Sequence, residues 1–109
     1  MSANITFSSH LYVGESMSAR KLDKIKTKLL KNPIACGAFV ISLSKNEHDQ
    51  LDIMQAGQLA QRFYQDYSLQ VVGIASNQRE AIELVEKMIQ ECLKLRGDCR
   101  VKEYLVCGF

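Results

Sequence analysis

Apolar and polar residues repeat with two different periods along the chain, and each period predicts a different kind of element. From Ala19 to Lys31, the apolar Leu22, Ile25 and Leu29 recur at helical spacing, while lysines occupy another stripe. An Asn-Pro pair follows, and the residue before a proline avoids the α conformation. The pattern predicts a first helix over residues 19–31.

Four segments are typical of strands. His10–Val13 is short and apolar, whereas Ala35–Leu43 and Leu69–Ala75 are continuous runs rich in β-branched residues, as expected for the interior of a sheet. Leu51–Met54 is weaker and follows the polar residues 44–49, so the two sides of this polar turn are predicted to form a hairpin.

Two further helices are predicted. The second begins at Gly57 and has a narrow apolar stripe at every fourth position, formed by Leu59, Phe63 and Tyr67. The third begins at Asn77, with Glu80 three positions later as a capping box, and ends at Gly97. On the polar side of this third helix, Glu83 and Lys87 are spaced for an i,i+4 ion pair.

The order of these elements predicts an α/β (α+β) fold, a ferredoxin-like βαββαβ sandwich with an added C-terminal helix. The tail from Cys99 to Val106 is predicted as a possible edge strand, although a helical turn around Glu103–Leu105 fits almost as well. The alternative fold is a small, mostly parallel βαβ sheet in which Leu51–Met54 is not a strand.

Length and composition indicate one small globular domain. The chain has 109 residues, of which 47% are hydrophobic and 24% charged, the usual globular mixture. We expect a flexible N-terminus over residues 1–9 and a single α/β domain over residues 10–109. The N-terminal stretch has no secretory pattern, and the longest apolar run is too short for a membrane helix. A cytoplasmic protein without a membrane partner is therefore predicted.

Cysteines and tyrosines give only weak functional indications. No Cys-x-x-Cys pair occurs among Cys36, Cys92, Cys99 and Cys107, which are expected to be thiols, with Cys36 and Cys92 acting as small buried hydrophobes. Tyrosines favour surfaces where another protomer docks. The tyrosines of this chain are Tyr12, Tyr64, Tyr67 and Tyr104.

The first predicted helix is the main candidate for a binding site because it is strongly basic. Residues 18–32 contain six Lys or Arg and one Asp, a net charge of +5 on a chain whose total is +2. The candidate nucleic-acid contacts are Arg20, Lys21, Lys24, Lys28 and Lys31. Such a helix could follow a phosphate backbone, and the simpler alternative is an ordinary solvated lysine face.

A second candidate is the polar loop that contains Glu47, His48, Asp49 and Asp52. Imidazole and carboxylates could bind a divalent ion or move a proton, but no established ligand spacing is present and polar residues are common in turns. No metal or cofactor is therefore assigned.

Helix starts near Ser16 and Asn77 could hold an anion, although neither carries a phosphate-loop motif.

The segments HLYVGES, GAFVISLSKNEHDQLDIM and QRFYQDYSLQVVGIASNQREAIELV resemble a group of small bacterial proteins with the same strand and helix order. The resemblance covers nearly the whole chain and implies a bacterial cytosolic protein. It implies no activity, ligand or partner.

The function expected from the sequence is a non-enzymatic interaction or regulatory module that self-associates, most simply as a homodimer, or that binds another protein. The first alternative is nucleic-acid binding through the lysine-rich helix. The second is a small metal-assisted hydrolase or transferase that uses His48, Asp49 or Asp52. An enzyme is disfavoured because serine elbows, zinc helices and kinase signatures are absent from the sequence.

Overall fold

The structure is a computed structural model that describes residues 4–15, 17–31, 37–44, 50–55, 68–98 and 100–106. These residues form a mixed α+β fold with a four-stranded sheet and three helices. The elements in chain order are β1 (Asn4–Val13), α1 (Ala19–Lys31), β2 (Phe39–Leu43), β3 (Leu51–Gln55), β4 (Ser68–Ala75), α2 (Gln78–Arg96) and α3 (Val101–Val106).

The sheet has the strand order β1-β4-β2-β3. β1 runs parallel to β4, while β2 is antiparallel to both β4 and β3. The ferredoxin-like arrangement is not confirmed, because the first strand lies at an edge of the described sheet. The alternative, a mostly parallel sheet without the segment Leu51–Met54, is wrong, because these residues belong to β3 and two of the three strand pairings are antiparallel.

β2 and β4 are the interior strands, as their continuous apolar sequences predict. Val40 and Ile41 on β2 and Val71, Val72 and Ile74 on β4 are fully buried, because helices of the described chain lie on both faces of the sheet. Residues that successively point to opposite faces are therefore mostly apolar, with Ser42 on β2 as a fully buried polar exception. The predicted strand over 35–43 is observed from Phe39 onward, and residues 35 and 36 lie outside the described residues.

The two faces of the sheet carry separate hydrophobic clusters. Met17 and Ile25 from the α1 side pack with Val40, Val71 and Ile74. On the opposite face, α2 and α3 cover a second cluster, in which the buried side chains from the helices are Ala81, Leu84, Met88, Cys92, Val101 and Leu105. The described elements therefore form three layers, with α1 and the pair α2–α3 on opposite sides of the sheet.

β1 is longer than predicted. It begins at Asn4 rather than at His10 and so extends into the segment 1–9 that was expected to be a flexible terminus. Its pairing with β4 is interrupted, because Phe7 lies opposite Val71 whereas Tyr12 lies opposite Gly73. β1 therefore contains extra residues between two paired stretches, an irregularity that is common at sheet edges.

Both predicted ends of α2 are confirmed. Asn77 is the N-cap, and its side-chain oxygen accepts a 2.9 Å hydrogen bond from the backbone N–H of Glu80. Gly97 is the C-cap and adopts the left-handed conformation, with φ of 81°. The expected Glu83–Lys87 ion pair is not formed, because Glu83 pairs at 3.4 Å with Arg79, one turn earlier on the same helix.

The tail forms the helix α3, so the possible edge strand over 99–106 is wrong and its alternative, a helical turn, is right. Val101 and Leu105 are four positions apart, and both are buried against the α2 side of the sheet. α3 is held to the β2–β3 end by the Lys102 ammonium, which donates to the Ser44 carbonyl oxygen at 3.0 Å. Helical spacing of the two apolar residues thus outweighs the loose alternation of the tail.

Several predictions concern residues outside the described ranges. The second predicted helix, with Leu59, Phe63 and Tyr67, falls entirely on them, as do Tyr64, Cys36, Cys99 and Cys107. Cys92 is described and is a buried free thiol, as predicted. No helix in the described part of the chain is long and apolar enough to cross a membrane.

Candidate functional site

α1 places its lysines on one face because its apolar residues are held on the other. The Ser18 hydroxyl accepts a 3.2 Å hydrogen bond from the Lys21 backbone N–H and so caps the start of the helix. Ile25 is buried and Leu22 is half-buried against the sheet. With 3.6 residues per turn, positions 21, 24 and 28 then share a different stripe.

These three lysines line one cleft. Lys21, Lys24 and Lys28 face the start of β2 and the end of β4 across a cavity of about 280 Å³, whose other lining residues are Ile25, Gly37, Ala38 and Ser76. The Lys21 ammonium lies 3.4 Å from the Ser76 hydroxyl and links α1 to the turn between β4 and α2. We call this cavity the lysine cleft.

The charge of the lysine cleft is not neutralised by any described carboxylate. No ion pair joins Lys21, Lys24 or Lys28 to an Asp or Glu of the described ranges. The described arginines outside α1 are all paired, and these pairs are Arg79–Glu83, Arg96–Asp98, Arg96–Glu103 and Arg100–Glu103, at 3.2–3.8 Å. The positive charge of α1 therefore faces solvent and the cleft without a described counterion.

The arginines around α3, in contrast, have their charge compensated by neighbouring carboxylates. The Arg100 backbone N–H and the Arg96 side chain hydrogen-bond to Asp98, and these contacts lower the pKa of Asp98 below its ordinary value. The cations near α3 thus stabilise neighbouring carboxylates. They are less suited to recruit an external anion than the cations of α1.

The other two predicted cations of α1 do not line the lysine cleft. Arg20 is exposed on the first turn of the helix. Lys31 is the last residue of α1, and its side chain lies outside the described part of the structure. Lys26, which the sequence did not single out, has its ammonium 5.3 Å from the centre of the Phe7 ring on β1. The structure thus brings together three of the five predicted residues.

The start of α2 is occupied by the protein's own carboxylate. Glu80 accepts a 3.1 Å hydrogen bond from the Ser76 backbone N–H, while its own N–H donates to Asn77. Gly14, at the end of β1, leaves room for the Glu80 side chain, which a Cβ atom at that position would overlap. The predicted anion site at Asn77 is therefore disfavoured, and Ser16, the other predicted start, lies outside the described residues.

The polar-loop candidate is only partly described. Glu47, His48 and Asp49 lie outside the described ranges. Asp52 is half-buried on β3, directly opposite Ser42 on β2. Within the ranges that the structure describes, no group of three or more His, Cys, Asp or Glu side chains is placed to hold a metal ion.

Sequence reasoning missed a larger groove between β1 and α2. It has a volume of about 650 Å³ and is lined by His10, Leu11, Tyr12, Val13, Leu84, Lys87, Glu91, Lys94, Leu95 and Tyr104. The Tyr12 hydroxyl donates a hydrogen bond to the Glu91 carboxylate. Burial, together with this bond, raises the pKa of Tyr12 well above its ordinary value, because a phenolate would lie beside a carboxylate. We call this cavity the β1 groove.

Part of the signal for the β1 groove was present in the sequence. Lys87, Glu91 and Lys94 are spaced i, i+4, i+7 and so share one face of α2, and Tyr12 and Tyr104 were already expected at a surface. What the sequence does not contain is the position of β1 beside α2. That position depends on the pairing of β1 with β4, which is distant along the chain.

The bacterial origin and cytoplasmic location implied by the sequence resemblance stay predictions. Comparison with protein families, with curated proteins and with solved structures found no match to this chain.

Proposed function

We propose that this protein binds the phosphate backbone of nucleic acid through the lysine cleft, as a non-enzymatic module. The observation that carries the proposal is the convergence of Lys21, Lys24 and Lys28 on one cavity without an ion pair to any described carboxylate. Lysine ammonium groups bind phosphate as point charges, and each contact releases condensed counterions from the nucleic acid.

The cleft has room for a phosphate group, since its volume is about 280 Å³. A backbone phosphate with part of its sugar would fit beside Gly37 and Ala38, which bring main chain rather than bulky side chains to the cavity. Contacts of this kind position a nucleic acid but do not specify its sequence.

The chemistry of the lining residues supports binding rather than catalysis. The cleft is lined by lysine, isoleucine, glycine, alanine and serine residues, and no described carboxylate or imidazole lines it. The described lining therefore supplies positive charge but no pair of groups suited to general acid–base catalysis at neutral pH.

The proposal is tested by fluorescence anisotropy with a labelled short duplex of mixed sequence at low salt. The variant Lys21→Gln/Lys24→Gln/Lys28→Gln should lose most of the affinity. The control Arg79→Gln/Lys87→Gln/Lys94→Gln, with the same change in net charge, should keep most of it. Equal losses would contradict the proposal. Preferential binding of inorganic polyphosphate over the duplex would show that the phosphate comes from another source.

The self-association expected from the sequence stays a prediction. The largest exposed apolar side chains on α2 are Leu95, Ile82 and Leu93, with 68%, 45% and 44% of their surface exposed. Light scattering after size exclusion tests this prediction, and a mass equal to that of the monomer at all concentrations would refute it.

A further inference from the structure

The β1 groove runs along the edge of a strand. Four consecutive residues, His10 to Val13, line it. Leu11 and Val13 pack against the cluster on the α1 side of the sheet and Tyr12 packs against the cluster on the α2 side, so a groove lined by all three follows the strand's edge rather than one of its faces. Among the described strands β1 pairs only with β4, so no described strand pairs with its second edge, whose main-chain groups can accept a further strand.

The length of the groove can be calculated from its opposite wall, which α2 forms. Residues from Leu84 to Leu95 on α2 line it. At 1.5 Å of rise per residue, this stretch of helix is about 16 Å long, which matches about five residues of extended chain at about 3.3 Å each. Tyr104 of α3 also lines the cavity and adds an aromatic surface.

The charges of the groove alternate along α2. Lys87 and Lys94 lie on either side of Glu91, with about 10 Å of helix between the two lysines. Neither lysine forms an ion pair with a carboxylate of the described ranges, since Glu83 pairs with Arg79 instead. The Glu91 carboxylate accepts a hydrogen bond from the Tyr12 hydroxyl and keeps its charge, and the two ammonium groups outnumber it, so these residues give the groove a net positive charge.

We propose that the β1 groove binds an extended acidic peptide segment of a partner protein, which adds a strand along the open edge of β1. Its two outer carboxylates lie beside Lys87 and Lys94, and a small donor side chain between them faces Glu91. Main-chain hydrogen bonds to β1 supply affinity, and the order of charges along α2 supplies specificity. A second copy of this chain that pairs through its own β1 is a poorer occupant, because β1 has no carboxylate for these lysines.

The probe is a labelled pentapeptide, acetylated and amidated, of sequence Glu-Val-Thr-Val-Glu. In an extended chain its glutamates lie on one face about 13 Å apart, within reach of both lysine side chains. The Lys-Val-Thr-Val-Lys peptide should bind about tenfold more weakly or not at all. N-methylation of alternate amides, in the two possible registers, should abolish binding in one register because it removes the donors that pair with β1.

The protein variants separate this site from the lysine cleft. Lys87→Glu/Lys94→Glu should weaken binding of the acidic peptide about tenfold or more and should gain affinity for the lysine peptide. The matched control Lys21→Glu/Lys24→Glu should leave binding of both peptides unchanged. Circular dichroism and the midpoint of thermal unfolding establish that each variant is folded, which is expected because the substituted lysines are exposed.

Three results would overturn the proposal. They are equal affinity for the acidic and basic peptides, affinity for the acidic peptide that survives the Lys87→Glu/Lys94→Glu change, and a dimer through β1 that excludes the peptide. None of these results bears on nucleic-acid binding, since the lysine cleft lies on the α1 side of the sheet.

Discussion

Replacement of the three cleft lysines should change how binding to nucleic acid depends on salt. In the variant Lys21→Gln/Lys24→Gln/Lys28→Gln, each substitution removes one charge but keeps a side chain of similar length and helix propensity. Every phosphate contact contributes about −0.9 to the slope of log affinity against log salt on a duplex. If each of the three lysines contacts one phosphate, the slope should become shallower by about 2.7.

This change is large enough to measure by anisotropy titrations. Between about 50 and 200 mM salt, three lysine contacts reduce the affinity of the wild-type protein by about 40-fold, and the variant should lack this part of the salt dependence. The Arg79→Gln/Lys87→Gln/Lys94→Gln variant provides the comparison at the same net charge. An unchanged slope in the cleft variant, or an equal reduction in the comparison variant, would refute the reasoning.

Three other perturbations test the fold and the β1 groove. Met88→Ala should lower the free energy of unfolding by about 2–5 kcal/mol, because Met88 is fully buried under α2; a loss below about 1 kcal/mol in denaturant titrations would contradict this packing. Gly14→Ala should cost about 0.5–1.5 kcal/mol, because the new methyl group displaces the flexible end of the Glu80 side chain from the Ser76 N–H, and should cost less in a Glu80→Ala background. Because folding raises the pKa of Tyr12, the neutral phenol stabilises the protein below pH about 10, and this contribution should fall as pH rises further. Urea titrations at alkaline pH should show this decline in the wild type and a weaker one in Tyr12→Phe, in which Glu91 loses its donor; equal declines would exclude the role of Tyr12.

Local sequence patterns were sufficient to predict α1 and α2. The period of apolar residues and the following Asn-Pro pair predict α1 with the observed bounds, Ala19–Lys31. Asn77 and Gly97 mark the two ends of α2, because capping depends on the chemistry of a few neighbouring residues. The interior strands were equally predictable from the sequence, since a strand covered on both faces is mostly apolar.

Features that depend on distant contacts were less predictable. The position of β1 at the edge follows from its pairing with β4, which no local pattern specifies. The first half of β1 carries an alternating signal in Ile5 and Phe7, but Ser8 and Ser9 interrupt it where the register with β4 shifts. The tail was ambiguous because a six-residue helix has only two buried positions, Val101 and Leu105.

The two candidate sites also combine features that a local sequence pattern predicts with features that depend on distant contacts. The lysines of α1 were predictable as a charged stripe, because residues three and four apart on a helix share a face. That Lys21, Lys24 and Lys28 meet Gly37, Ala38 and Ser76 across a cavity was not predictable, since it requires the packing of α1 on the sheet. The β1 groove requires two such long-range placements and was missed altogether.

The most direct test of the central claim is NMR chemical-shift mapping of the backbone amides during titration with a short duplex at low salt. Binding through the lysine cleft predicts the largest changes at Gly37, Ala38 and Ser76, with Leu84 and Glu91 in the β1 groove unaffected. Changes confined to Leu84 and Glu91, or no saturable change at any amide, would contradict the claim that the lysine cleft binds the phosphate backbone.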